Sequence, residues 1–354
     1  MKIKLAILEK DNIYLQRISN VFNNKYADKL EVYSFTEQET ALETAREAKI
    51  NVLLAGEEYD IAPSNLPERC AFAWFVDTPD VEHINHNAAI CKFQKIDIIY
   101  KQILSLYSEV AGDIVTTMGG ESGETKVIAV LSPAGGVGCS TVAAGCAVFF
   151  SQHGKRTLYL NLEKYGTGES FFQGDGMGGL GEVLYAIKSG KSNLALKLEG
   201  MVRQDKSGVD FLSECKVLLD RLEMKEDELD ILITQIKNSE TYDYVVLDAD
   251  FSFAGFEMEV MKLSDRIVML SDGNRNANMK IRRVYEAVRI LEQQGNSSIL
   301  DKIMLLYNRF RDQRGKMMDD LPFPVLGGIQ DFQGTEETQV MEKIAHMDVF
   351  EKLI

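Results

Sequence analysis

Histidine is scarce in this chain and its cysteines are scattered. The 354 residues hold four histidines and five cysteines, Cys70, Cys91, Cys139, Cys146 and Cys215. An odd count with no CxxC and no Cys/His pair at ligand spacing reads as reduced thiols rather than a disulfide framework. The same scarcity leaves a zinc centre or a His-based catalytic triad without support. Long apolar runs are missing too. The opening Met-Lys-Ile-Lys-Leu-Ala-Ile-Leu is stopped by Glu9, Lys10 and Asp11, too early for an export segment. No later run reaches the length of a membrane span, so a cytoplasmic location is expected. Positive charge is in deficit: Lys+Arg 39 against Asp+Glu 54 leave a net charge of −15. Such a chain repels phosphate backbones and anionic lipid, and binding either needs a local basic patch.

What is present is a chain long enough for two domains, with two rounds of strand and helix alternation. In the first, an apolar strand at 3–8 precedes Asp11, the cap of a helix with apolar face Tyr14, Leu15, Ile18, Val21 and Phe22. Strands at 30–35, 51–55, 71–76 and 89–93 and helices at 37–48 and 96–110 follow. The stretch 111–125, with "MGGESGET", reads as a linker. The second round has strands at 126–131, 157–162, 244–247, 266–270, 302–307 and 324–329. Its helices fall near 140–153, 181–189, 193–202, 226–238, 276–293 and 335–353. The expectation is an α/β chain of two doubly wound domains, 1–112 and 126–354, joined by a linker at 113–125.

The chemistry concentrates in "LSPAGGVGCST", Leu131 to Thr141, set between strand 126–131 and helix 140–153. Phosphate binding at such a junction rests on backbone N–H groups and the positive helix end. Gly135, Gly136 and Gly138 permit turns and close approach barred to bulkier residues. Ser140 is placed to ligate Mg²⁺, and Thr141 to bond a phosphate oxygen. The strand "YDYVVLDAD" then ends on Asp248, a second candidate metal ligand, with Asp250 in support. Cys139, where such loops carry lysine, is either a thiol activated by the helix start or a small residue that fits there.

The loop "AGGVGCST" resembles the deviant Walker A pattern KGGxGKST of the MinD/ParA ATPases. Further landmarks match in order: "LYLNLEKYG" for the first switch, "YDYVVLDAD" for Walker B, "LLYNRF" with the adenine-side Asn308, and "GGIQDF" beside the base. The resemblance implies a P-loop fold binding ATP and Mg²⁺. It assigns Ala134, Gly135, Gly136, Val137, Gly138, Cys139, Ser140, Thr141, Asn308, Arg309, Gln330 and Asp331 to the nucleotide, and Ser140 and Asp248 to the metal. The departures are specific. Both family lysines are replaced, by Ala134 and Cys139, and first-switch aspartates become Asn161 and Glu163. Two cations are lost where charge develops in phosphoryl transfer. Ground-state binding tolerates that better than transition-state stabilisation does, so turnover is expected to be slow or negligible. Glu163 is the candidate for orienting a water, and Arg203 or Arg275 for replacing a lysine.

The first domain resembles the response-regulator receiver, a flavodoxin-like sheet. Glu9 and Asp11 match its acid pair, Thr78 lies in the right region, and Lys95 fits the lysine after the last strand. "NVLLAGEEYD" puts Ala55 and Gly56 where the acceptor aspartate belongs, and Asp60 lies too far on. With no carboxylate nucleophile there, aspartyl phosphorylation is not expected. Glu9 and Asp11 are either a retained metal site or a solvated turn with a helix cap.

A receiver-like domain ahead of such an ATPase resembles the TadZ/CpaE proteins, which position Flp/Tad (type IVb) pilus secretion machinery, often at a cell pole. "LGEVLYAIKSGKSNLALKLEGMV" is similar to their helical region after the first switch. The resemblance implies a nucleotide-bound homodimer that recruits pilus or secretion assembly proteins. Two alternatives stand beside it: an active partitioning ATPase, and a signalling protein working through the non-phosphorylatable receiver. The helix at 276–293 carries Lys280, Arg282, Arg283 and Arg289 over an apolar stripe of Ile281, Val284, Tyr285, Val288 and Leu291. In so acidic a chain it reads as a solvated face rather than a DNA surface. The tail "TEETQVMEKIAHMDVFEKLI" is too acid-rich for a membrane helix; Val340, Ile344, Met347 and Phe350 are expected to dock on the core. A nitrogenase-iron-protein role lacks its paired cluster cysteines.

Overall fold

Runs such as VLLAG at 52–56, AFAWFV at 71–76 and TLYLN at 157–161 are buried along their whole length. Strands with no polar face belong in parallel sheets covered on both sides. The structure, a computed structural model, describes residues 2–112, 124–176, 178–190, 193–295, 298–311 and 315–354. The chain divides into two compact units, Met1–Val115 with Ser189–Met201, and Thr116–Lys188 with Val202–Ile354. The expected linker at 113–125 lies, except for Glu124 and Thr125, outside the described residues.

The first unit runs β1 (Ile3–Leu8), α1 (Asn12–Lys25), β2 (Leu30–Phe35), α2 (Gln38–Glu47), β3 (Val52–Gly56), β4 (Ala71–Val76), β5 (His83–Ile84), β6 (Asn87–Cys91) and α3 (Ile96–Val110). Its sheet order is β2-β1-β3-β4-β6-β5, parallel except at β5/β6. Alternate residues along each strand feed two cores. Leu5, Ile7, Leu54 and Phe75 pack with α1 and α3, while Ala6, Leu8, Leu53 and Trp74 pack with α2. Asp11 caps α1 as expected, accepting from the amides of Ile13 and Tyr14. Val21, assigned to the apolar face of α1, is instead exposed.

The second unit begins with β7 (Lys126–Leu131), α4 (Cys139–Gln152), β8 (Thr157–Asn161) and α5 (Leu180–Ser189). After α6 (Leu194–Met201) come β9 (Arg203–Gln204), β10 (Asp210–Phe211), α7 (Leu218–Leu222), α8 (Glu226–Asn238), β11 (Tyr244–Asp248), α9 (Gly255–Leu263) and β12 (Arg266–Ser271). The unit closes with α10 (Arg275–Gln294), β13 (Ile303–Phe310), β14 (Val325–Gln330) and α11 (Glu337–Ile344). The sheet order β14-β13-β12-β7-β11-β8-β10-β9 puts β7 inside the sheet, with the loop to α4 at its carboxyl end. Open α/β sheets bind ligands at such crevices.

Several elements depart from the sequence reading, and two helices, α7 and α9, were not read from it at all. The expected helix at 335–353 stops at Ile344, and a 3-10 turn at Asp348–Leu353 finishes the chain. Docking of this tail does occur: Ile344 and Phe350 are fully buried, and Val340 and Met347 pack against the same core. Gly145 makes room for it, since a Cβ there would stand 2.8 Å from Ile344 Cγ2. On α10, Ile281, Val284 and Val288 are buried, but Leu291 faces solvent. Finally, α6 belongs to the first unit, packed on α3.

Candidate nucleotide-binding site

The loop between β7 and α4 is shaped by its glycines and pinned by neighbouring strands. Gly136 and Gly138 have φ of 74° and 87°, the left-handed region that a Cβ disfavours. Ser132 anchors the entry, its hydroxyl donating to Leu270 O and accepting from Ala134 N. Gly138 caps α4, whose first amides, like those of any helix start, have no intrahelical acceptor. Loop and helix start together present N–H groups and the positive end of the helix to one place.

At the end of β13, Asn308 Nδ2 donates to Val137 O at 2.7 Å and Arg309 Nη1 to Gly136 O at 2.9 Å. Gly138 is packed under both: an added Cβ would lie 2.7 Å from Asn308 Nδ2. A cavity of about 660 Å³ opens here, lined on one side by Gly135, Gly136, Val137 and Thr141, and on the other by Asn308, Arg309, Gln330 and Asp331. That volume is within the usual range of small-ligand sites, about 300–1,000 Å³. Arg311 Nε donates to Asp331 Oδ2 at 2.8 Å, and this guanidinium holds Asp331 below the usual carboxylate range. The sequence reading missed Arg311 and Asp272, another lining residue; neither belongs to a recognisable motif.

On the other side of the loop lie the acidic groups. Ser140 Oγ donates to Glu163 Oε2 at 3.2 Å. Asp248 is fully buried; its Oδ2 accepts from Tyr159 Oη at 2.8 Å, while Oδ1 has no hydrogen-bond partner among the described residues. Burial pushes its carboxyl well above the ordinary range, helped by the Glu163 carboxylate and opposed by the Tyr159 and Ser140 hydroxyls. Glu163 is raised as well, by burial and then Asp250, with the Ser140 and Asn161 bonds opposing. A buried, unpartnered carboxylate oxygen close to a serine hydroxyl and a second carboxylate is an oxygen set that suits Mg²⁺. Tyr159, which holds Asp248, was not read from the sequence, because as a strand residue it looked like core. Arg221 was missed for want of a motif. It is buried, donates to Leu162 O and lies 4.1 Å from the Phe256 ring centre, bracing the chain just before Glu163.

Several expectations need correction. Of the two readings of Cys139, the activated thiol falls and the small residue that fits stands: burial, then Asp248, Glu163 and Asp250, push its pKa upwards. Arg203 lies on the edge strand β9, packed against Gly176, and Arg275 is exposed at the start of α10 without lining the cavity. Neither arginine is brought to the loop. In the first unit, Lys92, not Lys95, follows the last parallel strand. Its ammonium is 2.7 Å from Glu9 Oε2 and 3.1 Å from Asp77 Oδ1. Burial alone would lower the Lys92 pKa, but these two carboxylates outweigh it. Gly56, the last residue of β3, holds the acceptor position opposite them, and Thr78 is exposed. With Asp11 capping α1 and Glu9 paired, the acid pair serves the fold. Among the described residues no cluster of three His, Cys, Asp or Glu side chains is arranged for a metal, and no helix is long and apolar enough to cross a membrane.

Comparison with known proteins agrees with both halves. Residues 1–108 match the model of a TadZ-like receiver domain, and residues 125–300 that of an AAA domain of the AAA_31 family. No curated protein matches the chain by sequence. Among solved structures, MinD in the MinC:MinD cell division complex of Aquifex aeolicus is similar at 15% identity and a TM-score of 0.50, covering 64% of this chain and 95% of its own. A ParA family ATPase from Chlorobium tepidum follows at 17% identity and TM-score 0.49, over 63% of this chain and 99% of its own. MinD of Pyrococcus horikoshii, solved with Mg-ADP, has 17% identity and TM-score 0.45, over 62% and 94%. The order of the two matched segments, on the two folds just described, makes this chain a TadZ-like receiver domain followed by an AAA domain of the AAA_31 family with the fold of MinD.

Proposed function

We propose that the chain is an ATP-binding scaffold that positions Flp/Tad (type IVb) pilus secretion machinery, acts as a nucleotide-bound homodimer, and hydrolyses ATP slowly or negligibly. One observation carries the nucleotide reading. The left-handed glycine loop opens α4 beside a cavity of nucleotide size, with the unpartnered Asp248 oxygen buried on the other side. Gly135 to Thr141 would hold the phosphates through main-chain amides and the Thr141 hydroxyl. Ser140 and Asp248 would hold the ion. Asn308, Gln330 and Asp331 would flank the base and ribose, with Arg309 between them and the glycine loop. Magnesium, when bound, supplies charge to the phosphate oxygens.

Slow turnover follows from what the loop lacks. Ala134 and Cys139 bring no ammonium, and the Cys139 thiol stays neutral. Glu163 keeps a carboxylate near Ser140 that is able to orient a water, but charge on the leaving oxygens is left to the ion and the amides. With no lysine at 134 to reach a partner's nucleotide, dimer contacts must come from other residues. The pilus assignment, with a place at a cell pole, rests on domain order and the TadZ-like receiver match. A DNA surface on α10 is disfavoured because Asp320 takes Arg282 through two hydrogen bonds, at 2.7 and 2.8 Å.

Isothermal calorimetry with ATP and Mg²⁺, paired with a phosphate-release assay, tests this reading. The expected result is saturable uptake with phosphate release close to the no-enzyme control. Absence of uptake at millimolar ATP would refute the nucleotide reading. Brisk unassisted release would favour a partitioning ATPase instead.

A further inference from the structure

Among the described residues, one cation of the cavity closes no ion pair, although it lies near enough to Asp331 to help lower that carboxyl's pKa. Among the described residues Arg309 and Arg311 line the cavity, and Arg311 is held by Asp331. Arg309 is arranged differently. Its backbone sits at φ 54°, a left-handed conformation unusual for a residue with a Cβ. That bend sets the guanidinium against the glycine loop: Nη1 bonds Gly136 O, and Nε and Nη2 each lie 3.7 Å from where a Cβ on Gly138 would stand. A guanidinium has five N–H donors. Among the described residues, Gly136 O is the hydrogen-bond acceptor found for Arg309, which leaves further N–H donors beside the amides of the glycine loop.

We infer that Arg309 supplies the phosphate-directed positive charge that Ala134 and Cys139 fail to provide. This rests on the ATP-binding reading above and goes beyond it by naming the compensating group. A guanidinium beside phosphate oxygens makes short, charge-assisted, often bidentate bonds. Its position also fits slow turnover. Arg309 lines the cavity with Asn308 and Gln330, whereas Ser140, Glu163 and Asp248 do not line it. The charge therefore strengthens the grip on the bound nucleotide without standing at Cys139, where transfer would need it.

The test uses the full-length protein as wild type and as two variants of one position, R309K and R309Q. Glutamine keeps a donor for Gly136 O but removes the charge; lysine keeps the charge. Calorimetry would follow Mg·ATP, inorganic tripolyphosphate with Mg²⁺, and adenosine, with thermal melts to establish equal folding. R309Q should bind ATP and tripolyphosphate about tenfold or more weakly, as expected for losing a charge-assisted bond, with adenosine unchanged. R309K should fall between it and wild type, and the salt dependence of ATP binding should flatten in R309Q. Equal ATP affinity in R309Q and wild type would overturn the assignment alone. So would R309K falling as far as R309Q, or adenosine losing as much as ATP, because each points to loop support or base contact rather than charge. Failure of the wild type to take up any of the three probes would overturn the nucleotide reading itself, and this assignment with it.

Discussion

Gly138 is the residue at which backbone shape and ligand chemistry meet most closely. Its φ of 87° is needed to bring the loop round into α4, and Asn308 Nδ2 occupies the space any side chain would take. Left-handed strain of roughly 1–2 kcal/mol and a steric clash of about 1–3 kcal/mol together come to about 3 kcal/mol, or about a hundredfold in binding. Gly138→Val should therefore lose ATP uptake by about two orders of magnitude while the sheet beneath it still folds. Calorimetry alongside a circular-dichroism melt checks both halves; unchanged uptake would mean the loop is not the phosphate cradle. The glycine pattern and the hydroxyl pair made this residue visible in the sequence, since each glycine had a conformational reason to be there. Lys92 shows where such reasoning stops. Phe93 extended the apparent strand by two residues and drew attention to Lys95, but Phe93 stands exposed beyond β6, edge-on to Tyr14. Strand ends depend on pairing with neighbours, which residue type alone does not encode.

At the scale of elements, long runs of clear period were legible and short ones were not. The helix over Glu226–Asn238 and the strand over Lys126–Leu131 were read at their observed bounds, because each has a sustained apolar pattern. The two-residue strands β9 and β10 carry no period to detect, and they exist because β8 offers an edge. Packing of α6 was equally hidden: it is close in sequence to α5, yet it completes the core around α3. Leu196 is buried in that core, Asn193 N donates to Ser108 O at 2.8 Å, and Lys197 Nζ donates to Ser105 Oγ at 2.9 Å. The approach of the two helices depends on Gly200, where a Cβ would lie 2.9 Å from Lys101 O and 3.2 Å from Ser105 N. Both are backbone atoms and do not swing aside. Alanine should stabilise an exposed helical site by about 1 kcal/mol over glycine. Gly200→Ala should instead destabilise, and Gly200→Leu should cost about 2–3 kcal/mol. Chemical denaturation measures the loss, and hydrogen exchange should show it first in the α3 amides. A Gly200→Leu protein as stable as wild type would mean that α6 does not pack on α3 as described.

For the molecule as a whole, the question is which of its two units takes an input signal. The nucleotide unit keeps an unpartnered buried oxygen and a loop of the left-handed turns phosphate requires. The receiver-like unit has instead satisfied its own charges. Lys92 is bridged by Glu9 and Asp77, and the Asp11 carboxylate is occupied as a helix cap. Gly56 offers no nucleophile where phosphoryl transfer would need one. Restoring one crowds Glu58, whose exposed carboxylate would have to shift from 2.5 Å, and sets a second negative charge beside it. That carboxylate adds negative charge where an incoming phosphoryl group would have to settle. Phosphorylation of this unit thus lacks its acceptor and meets opposing charges. Incubating the full-length protein with acetyl phosphate and Mg²⁺ should leave its intact mass unchanged, and Gly56→Asp should remain unlabelled because Glu58 and the engaged Lys92 still oppose the reaction. A receiver from a phosphorylating regulator, treated in parallel, establishes that the reagent is active. Stable labelling of the wild-type chain on a carboxylate would show that the receiver-like unit still takes a phosphoryl signal.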